Sequence, residues 1–420
     1  MSRFEITGKT PIRGEISVQG AKNAVLPILA ATIMTEDACV IENCPDLRDV
    51  DKTVLVLKGL GCDVRRSGHT VTVLGDGLCD CEVCETLMRQ MRSSIIFLGA
   101  ILTRCKNAVL SMPGGCPIGQ RPIDLHLKAL RRLGVDVREE HGFMYCRADK
   151  ITGADIHLDF PSVGATENIM LASVTAEGVT TVSNAAREPE IADLARFLNS
   201  MGARIEGAGE SVIRIEGVKK LHGTRYRVMP DRIVAATYLI AGAITGGDMT
   251  VCDVEPGNMK AVCDALAFMG APLKVGNDSV HISGRNRLKA VDFIRTMPYP
   301  GFPTDIQSPF MSLLAVADGT SIVVENIFEN RYRHVDELVR MGADIKVSGK
   351  TAVIKGVKEL YGATVRAREL RGGAALVLAG LCADGETTVE NTEYIDRGYE
   401  RMEDCLSLCG ARIRRVDQRR

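Results

Sequence analysis

Four hundred and twenty residues exceed a single domain of ~150 and leave room for two or three. With Lys+Arg 52 against Asp+Glu 53 the net charge is −1, which excludes a global basic field for nucleic acid or acidic membranes. Ten Phe, eight Tyr and no Trp are too few to supply stacking platforms for single strands.

A strand is expected before Gly20, then an apolar helix through Ala24-Val25-Leu26-Pro27-Ile28-Leu29 and a second, amphipathic helix ending Leu57-Lys58-Gly59-Leu60-Gly61. One strand from Val64 to Val73 follows. The pattern then returns five times. Further apolar helices are predicted around Ile95–Leu98, Asn168–Leu171, Ile233–Ile240, Pro309–Leu314 and Ala374–Leu378. Each precedes a Leu-x-x-Leu-Gly-like phrase, and the six glycines at 61, 134, 202, 270, 342 and 410 are spaced by 73, 68, 68, 72 and 68. A helix apolar all round is buried on all sides, and a glycine past the last turn ends a helix in the left-handed region. One unit is therefore strand, buried helix, strand, amphipathic helix, strand, and six units of roughly 70 residues fill the chain. Two three-unit domains follow, at 22–229 and at 1–21 plus 230–420, the first strand completing the last unit of the second.

The starts of the six apolar helices carry the polar residues. Markers at 22, 92, 162, 232, 305 and 371 are spaced by 70, 70, 70, 73 and 66. Helix starts bear unsatisfied N–H groups and partial positive charge, so Lys22, Arg92, Arg232 and Arg371 at such points suggest sites for phosphates or carboxylates. Ser162 and Asp231 read equally as ordinary caps. The second unit carries an unusual loop, 113–122, with three glycines, Cys116 and Arg121 between prolines. It reads either as a lid over substrate or as an insertion without consequence. His126 and His334 read as solvated helix positions.

Other chemistries lose support. Gly8-Lys9-Thr10 and Gly349-Lys350-Thr351 lack the glycine a P-loop needs, having Arg3 and Asp344 instead. No G-x-G-x-x-G after a strand, no H-E-x-x-H and no G-x-S-x-G occurs. Cys79, Cys81 and Cys84 lack a nearby fourth ligand and read as thiols without a metal. Met1-Ser2-Arg3-Phe4-Glu5-Ile6 has no basic and apolar regions of an export signal, and 14 Cys without one suit a reducing cytoplasm. The 12-residue apolar run Ile233–Ile244 is short of the ~18 that span a bilayer, so no membrane insertion is expected.

From the first strand to about Arg412 the chain resembles the enolpyruvyl transferases. The residues that carry the resemblance are Gln19-Gly20-Ala21-Lys22-Asn23-Ala24, Pro113-Gly114-Gly115-Cys116-Pro117-Ile118-Gly119 and Arg121-Pro122-Ile123-Asp124-Leu125. Ser162-Val163-Gly164-Ala165-Thr166, Phe302-Pro303-Thr304-Asp305, Glu329-Asn330-Arg331 and Asp396-Arg397-Gly398-Tyr399-Glu400-Arg401 match as well. The resemblance implies an α/β fold, a two-domain inside-out α/β barrel with three repeats per domain.

It further implies transfer of the enolpyruvyl group of phosphoenolpyruvate to the 3′-hydroxyl of UDP-N-acetylglucosamine, with phosphate released and no metal or cofactor. That reaction is the first committed step of peptidoglycan synthesis. The sister family acting on shikimate 3-phosphate shares the fold but lacks the cysteine loop. Carried over by position, Cys116 is the proton donor to the methylene carbon, a possible covalent carrier, and the thiol that fosfomycin alkylates. Asp305 takes the sugar hydroxyl proton, and Lys22 and Arg397 complete the catalytic set. Phosphoenolpyruvate is assigned to Lys22, Asn23, Arg121, Arg331, Arg371 and Arg397. The nucleotide sugar is assigned to Asn23, Arg92, Arg121, Pro122, Ile123, Asp124, Leu125, Ser162, Val163, Gly164, Asp305 and Ile327. Two positions depart from the family: Phe160 stands where some members have Lys, and Glu369 where many have Asp. The extra methylene of Glu369 is expected to shift Arg371 or Arg397. A rival reading is a weak paralogue that binds the nucleotide sugar and regulates.

Overall fold

A computed structural model describes residues 2–78, 81–90, 92–112, 118–119, 122–284 and 287–417; the side chains at 89, 90, 92 and 93 are outside the description. Two compact units result. One contains residues 2–19 and 230–417, with 118–119 counted to it; the other contains 20–112 and 122–229.

In the second of these, the helices are α1 (Lys22–Ala31), α2 (Arg48–Gly59), α3 (Glu85–Gln90), α4 (Phe97–Cys105), α5 (Asp124–Arg132), α6 (Val163–Ser173) and α7 (Pro189–Ser200). In the first they are α8 (Arg232–Ile244), α9 (Lys260–Phe268), α10 (Thr304–Val316), α11 (Val335–Arg340), α12 (Leu370–Cys382) and α13 (Met402–Leu408). Helices α1, α4 and α6 form one apolar centre, and α8, α10 and α12 the other. Helix α8 buries every residue from Ile233 to Ile244, as an all-apolar surface requires. The six outer helices end at Gly61, Gly134, Gly202, Gly270, Gly342 and Gly410, whose φ angles of 101, 89, 97, 89, 95 and 88° are left-handed.

Six four-stranded sheets cover the two centres. In each, a short edge strand runs parallel to the strand that follows the buried helix, which pairs antiparallel with a third strand; in five of the sheets that third strand is one arm of a hairpin, and in the sixth it is the first strand of the chain. The expected single strand from Val64 to Val73 is such a hairpin, Asp63–Ser67 and Thr70–Leu74, reversed at Gly68 with φ 56°. The repeat thus has one strand more than its apolar pattern suggested. Ser67-Gly68-His69 interrupts the alternation, and only glycine takes that φ cheaply. Asn43, Asn184, Asp253 and Asn391 close other strands at φ 57, 54, 54 and 63°, a conformation that Asn and Asp tolerate.

Two strands, not one, precede Gly20. Ser2–Thr7 inserts between Glu386–Glu390 and Arg412–Asp417, completing the last repeat as expected. Arg13–Ser17 lies parallel to Asp248–Cys252, as the edge strand of the sheet that follows α8. Arg225–Arg227, just before α8, instead serves Cys39–Glu42, which follows α1. The two edge strands are thus exchanged at the points where the chain passes from one unit to the other. Among the described residues no helix is long and apolar enough to cross a membrane.

Candidate functional site

In the unit of residues 230–417, the first turn of α10 and the start of α12 bring three predicted residues together. The Asp305 carboxylate accepts Arg331 Nη2 at 2.7 Å on one oxygen, and Arg371 Nη2 at 3.0 Å and Nε at 3.2 Å on the other. Both guanidiniums are 2% exposed, while the Asp305 side chain retains 25% exposure and lies in the favourable first turn of its helix. Arg331 also donates to the Thr304 carbonyl, through Nε at 3.3 Å and Nη2 at 3.1 Å. The Arg371 guanidinium stands 5.3 Å from the Tyr399 ring centre, and its buried Nη1 makes no hydrogen bond. Burial works against the Arg371 charge, but Asp305, Tyr399 and Asp231 together hold its pKa above the ordinary arginine value. A buried cation with one donor unspent is suited to an added anion.

Glu369, the longer acid at the variant position, caps α12. Its carboxylate accepts the N–H of Arg371 at 2.8 Å and that of Gly372, and lies 3.8 Å from Arg331 Nη1. The longer acid thus serves as the helix cap. Arg397 is half-buried at the end of the 3₁₀ turn Thr392–Arg397. Half-buried Ile327 lies in a turn built by buried Glu325, whose Oε1 accepts the Ile327 and Phe328 N–H groups at 2.8 and 3.1 Å. The other Glu325 oxygen accepts the Thr304 hydroxyl at 3.0 Å, tying this turn to the start of α10. Sequence reading missed Glu325, although an acid at the end of an apolar strand is a usable signal.

His334 is buried, correcting the expectation of a solvated position. Its Nδ1 donates to the Arg331 carbonyl at 3.2 Å, and burial depresses its pKa to about 3. The unfolded histidine titrates near ~6.5, so this group's contribution to stability is intact above that pH and falls as pH drops toward the folded value. Replacing His334 by Asn is expected to flatten the acid limb between about pH 6.5 and 4. At pH 5 the difference is on the order of 2 kcal/mol, measurable by urea unfolding across pH.

The other unit holds the second group. Lys22, the first residue of α1 and a poor choice for a helix start, is matched by Asp49 at 2.9 Å; both are buried. Asn23 and Phe160 are exposed. Exposed Pro122 and Asp124, with half-buried Ile123 and Leu125, lie at the start of α5, and half-buried Ser162, Val163 and Gly164 at the start of α6. The Ser162 hydroxyl accepts the Ala165 N–H at 3.4 Å, so the cap reading and the family reading fall on one residue.

His126 is also buried rather than solvated. A Cβ on Gly164 would stand 3.0 Å from its ring, and its Nδ1 meets Asn168 Nδ2 at 2.9 Å. Asn168 also donates to the Ile95 carbonyl at 3.1 Å and accepts the Gly99 N–H at 2.8 Å. One buried amide therefore joins α4, α5 and α6 beneath the helix starts. Asn168→Leu would leave buried backbone groups unmatched and is expected to lower stability by about 3 kcal/mol, read by denaturant unfolding.

Cys116 and Arg121 lie outside the described residues, and the Arg92 side chain outside the description. The Ile118 carbonyl, between Cys116 and Arg121 in sequence, accepts the N–H of Asn330, next to Arg331, at 3.0 Å. Among the described residues no group of His, Cys, Asp and Glu is arranged to hold a metal ion.

Comparison with known proteins follows the same lines. The EPSP synthase (3-phosphoshikimate 1-carboxyvinyltransferase) family profile matches residues 6–406. UDP-N-acetylglucosamine 1-carboxyvinyltransferase 2 of Caldanaerobacter subterraneus subsp. tengcongensis is 54% identical over 416 residues, covering 99% of this chain and 100% of that protein. UDP-N-acetylglucosamine 1-carboxyvinyltransferase 1 of Carboxydothermus hydrogenoformans is 49% identical, with 99% of each covered. The crystal structure of the enolpyruvyl transferase NikO from Streptomyces tendae superposes with a TM-score of 0.90 at 25% identity, over 99% of each chain.

Proposed function

This chain belongs to the enolpyruvyl transferase family, among the UDP-N-acetylglucosamine 1-carboxyvinyltransferases, and we propose that it transfers the enolpyruvyl group of phosphoenolpyruvate to the 3′-hydroxyl of UDP-N-acetylglucosamine. The observation that carries the reading is Asp305 gripped by two buried guanidiniums, one with an unspent donor. A carboxylate fixed in this way is oriented to accept a hydroxyl proton, and the cations beside it suit a phosphorylated carboxylate.

The sugar hydroxyl gives its proton to Asp305 and its oxygen bonds to C2 of phosphoenolpyruvate, while Cys116 protonates C3. The tetrahedral intermediate keeps both phosphate and carboxylate. A C3 proton then passes to the Cys116 thiolate as the C2–O bond to phosphate breaks, the double bond is restored, and the proton held by Asp305 leaves with inorganic phosphate, so atoms and charges balance without an oxidant. Lys22, Arg121 and Arg397 are assigned to the phosphate and carboxylate of phosphoenolpyruvate, and Asn23, Arg331 and Arg371 to the same substrate. Preorganised cations in a water-poor site stabilise the developing charge far more than solvent would. Arg92, Pro122 to Leu125, Ser162 to Gly164 and Ile327 take the nucleotide sugar, a set concentrated in the proposed domain 22–229. The unit that carries Asp305 is the one proposed as the second domain, 1–21 plus 230–420, with its first boundary after Gln19. Both substrates are phosphorylated metabolites, which supports placement in the cytoplasm and the first step of peptidoglycan synthesis.

Running the reaction in deuterated water tests the addition–elimination route. Deuterium is expected at the vinyl carbon of the product, because C3 gains a solvent-derived proton before it loses one. Product with no deuterium would mean that C3 is never protonated.

A further inference from the structure

The segment that carries Arg397 is fastened on both sides. Upstream, Asp396 receives Arg415 through Nη2 at 2.6 Å and Nη1 at 3.0 Å, and Arg415 also donates to Glu403 through Nε at 2.6 Å. Downstream, the side-chain amide of Gln19 reads two backbone groups. Its Nε2 donates to the Gly398 carbonyl at 3.4 Å, and its Oε1 accepts the Glu400 N–H at 2.7 Å. The Gln19 carbonyl accepts the N–H of Asp231, the cap of α8, at 2.9 Å. Between those contacts the Tyr399 hydroxyl meets Thr237 of α8 at 2.9 Å, and a Cβ on Gly398 would stand 2.7 Å from Leu370. These contacts fix the backbone on either side of Arg397, and with it the point from which its side chain departs.

We infer that Gln19 is a positioning residue for Arg397: its amide fixes the backbone of Gly398 and Glu400 and so sets where the Arg397 guanidinium stands. Gln19 is the residue at which the chain leaves this unit, three positions before Lys22. The inference rests on the reading that Arg397 holds an anionic group of phosphoenolpyruvate. A binding group displaced by about 1 Å can cost ~100-fold.

The test is a double-mutant cycle of Gln19→Leu and Arg397→Lys in the full chain, read by kcat and KM for each substrate. Gln19→Leu is expected to lower kcat/KM for phosphoenolpyruvate by ~10- to 100-fold while KM for UDP-N-acetylglucosamine stays within about twofold. The double variant is expected to be no worse than Arg397→Lys alone. Additive losses, or equal losses for both substrates, would assign Gln19 a general structural role and overturn the inference. Full activity in Gln19→Leu would do the same. An unimpaired Arg397→Lys would remove the reading of Arg397, and the positioning role with it. Should Gln19→Leu fail to fold, Gln19→Glu keeps the acceptor for Glu400, loses the donor to Gly398, and enters the same cycle.

Discussion

Asp305→Asn is expected to reduce kcat by ~10²- to 10⁴-fold, the range for loss of a general base, with little change in KM for phosphoenolpyruvate. Asparagine keeps the shape and one acceptor oxygen but loses the charge that Arg331 and Arg371 share. Those guanidiniums remain available to the anionic substrate, so binding persists while proton transfer fails. Asp305→Ala goes further, leaving the two buried cations with Glu369, 3.8 Å from Arg331, and Asp231, which supports the Arg371 charge, as counter-charges. Removing one partner from a buried ion pair costs about 3–5 kcal/mol, so Asp305→Ala is expected to lose stability as well as turnover. Steady-state kinetics with thermal unfolding separates the two. A pure rise in KM with kcat intact would make Asp305 a binding group only.

The second large effect concerns the thiols. Fosfomycin is expected to inactivate the wild-type chain by alkylating Cys116, and Cys116→Ser is expected to resist alkylation and to lose most of its turnover. Burial pushes the pKa of Cys39 and Cys263 up to about 11 and that of Cys146 and Cys382 up to about 12. Thiols so placed carry almost no thiolate near neutral pH and compete poorly for an electrophile. Peptide mapping of the treated protein is expected to place the adduct on Cys116 and to leave these four thiols unmodified. Equal alkylation of Cys116→Ser would put the nucleophile elsewhere.

The repeat was legible because its two signals are strong. Runs such as Ile233–Ile244 can be stable only in a protein interior, and the six glycines mark helix ends by a conformation that other residues disfavour. The hairpins were not, because Val64 and Val73 share a face with the turn between them, and short apolar runs hide a reversal. Nor could alternation reveal that Arg13–Ser17 and Arg225–Arg227 exchange sheets, since edge pairing is decided by which unit the chain enters next.

At the site, the repeat marked positions 305 and 371 as helix starts, and resemblance assigned roles to Asp305, Arg331 and Arg371, far apart in sequence. Their meeting depends on packing of α10 against α12, which no local pattern reports. His126 and His334 were misread because the stretches Leu125-His126-Leu127 and Arg333-His334-Val335 do not report that other elements pack over them. Asn168, at the edge of an apolar run, and Glu325, at the end of an apolar strand, looked like boundary residues, yet each organises several backbone groups.

Phosphate release from phosphoenolpyruvate, measured with UDP-N-acetylglucosamine and with shikimate 3-phosphate as alternative acceptors, tests the central claim most directly. Release dependent on UDP-N-acetylglucosamine, and absent with shikimate 3-phosphate, is the predicted result. Release with shikimate 3-phosphate alone would place the chain in the other branch of its family. Binding of the nucleotide sugar with no release from either acceptor would contradict catalysis itself.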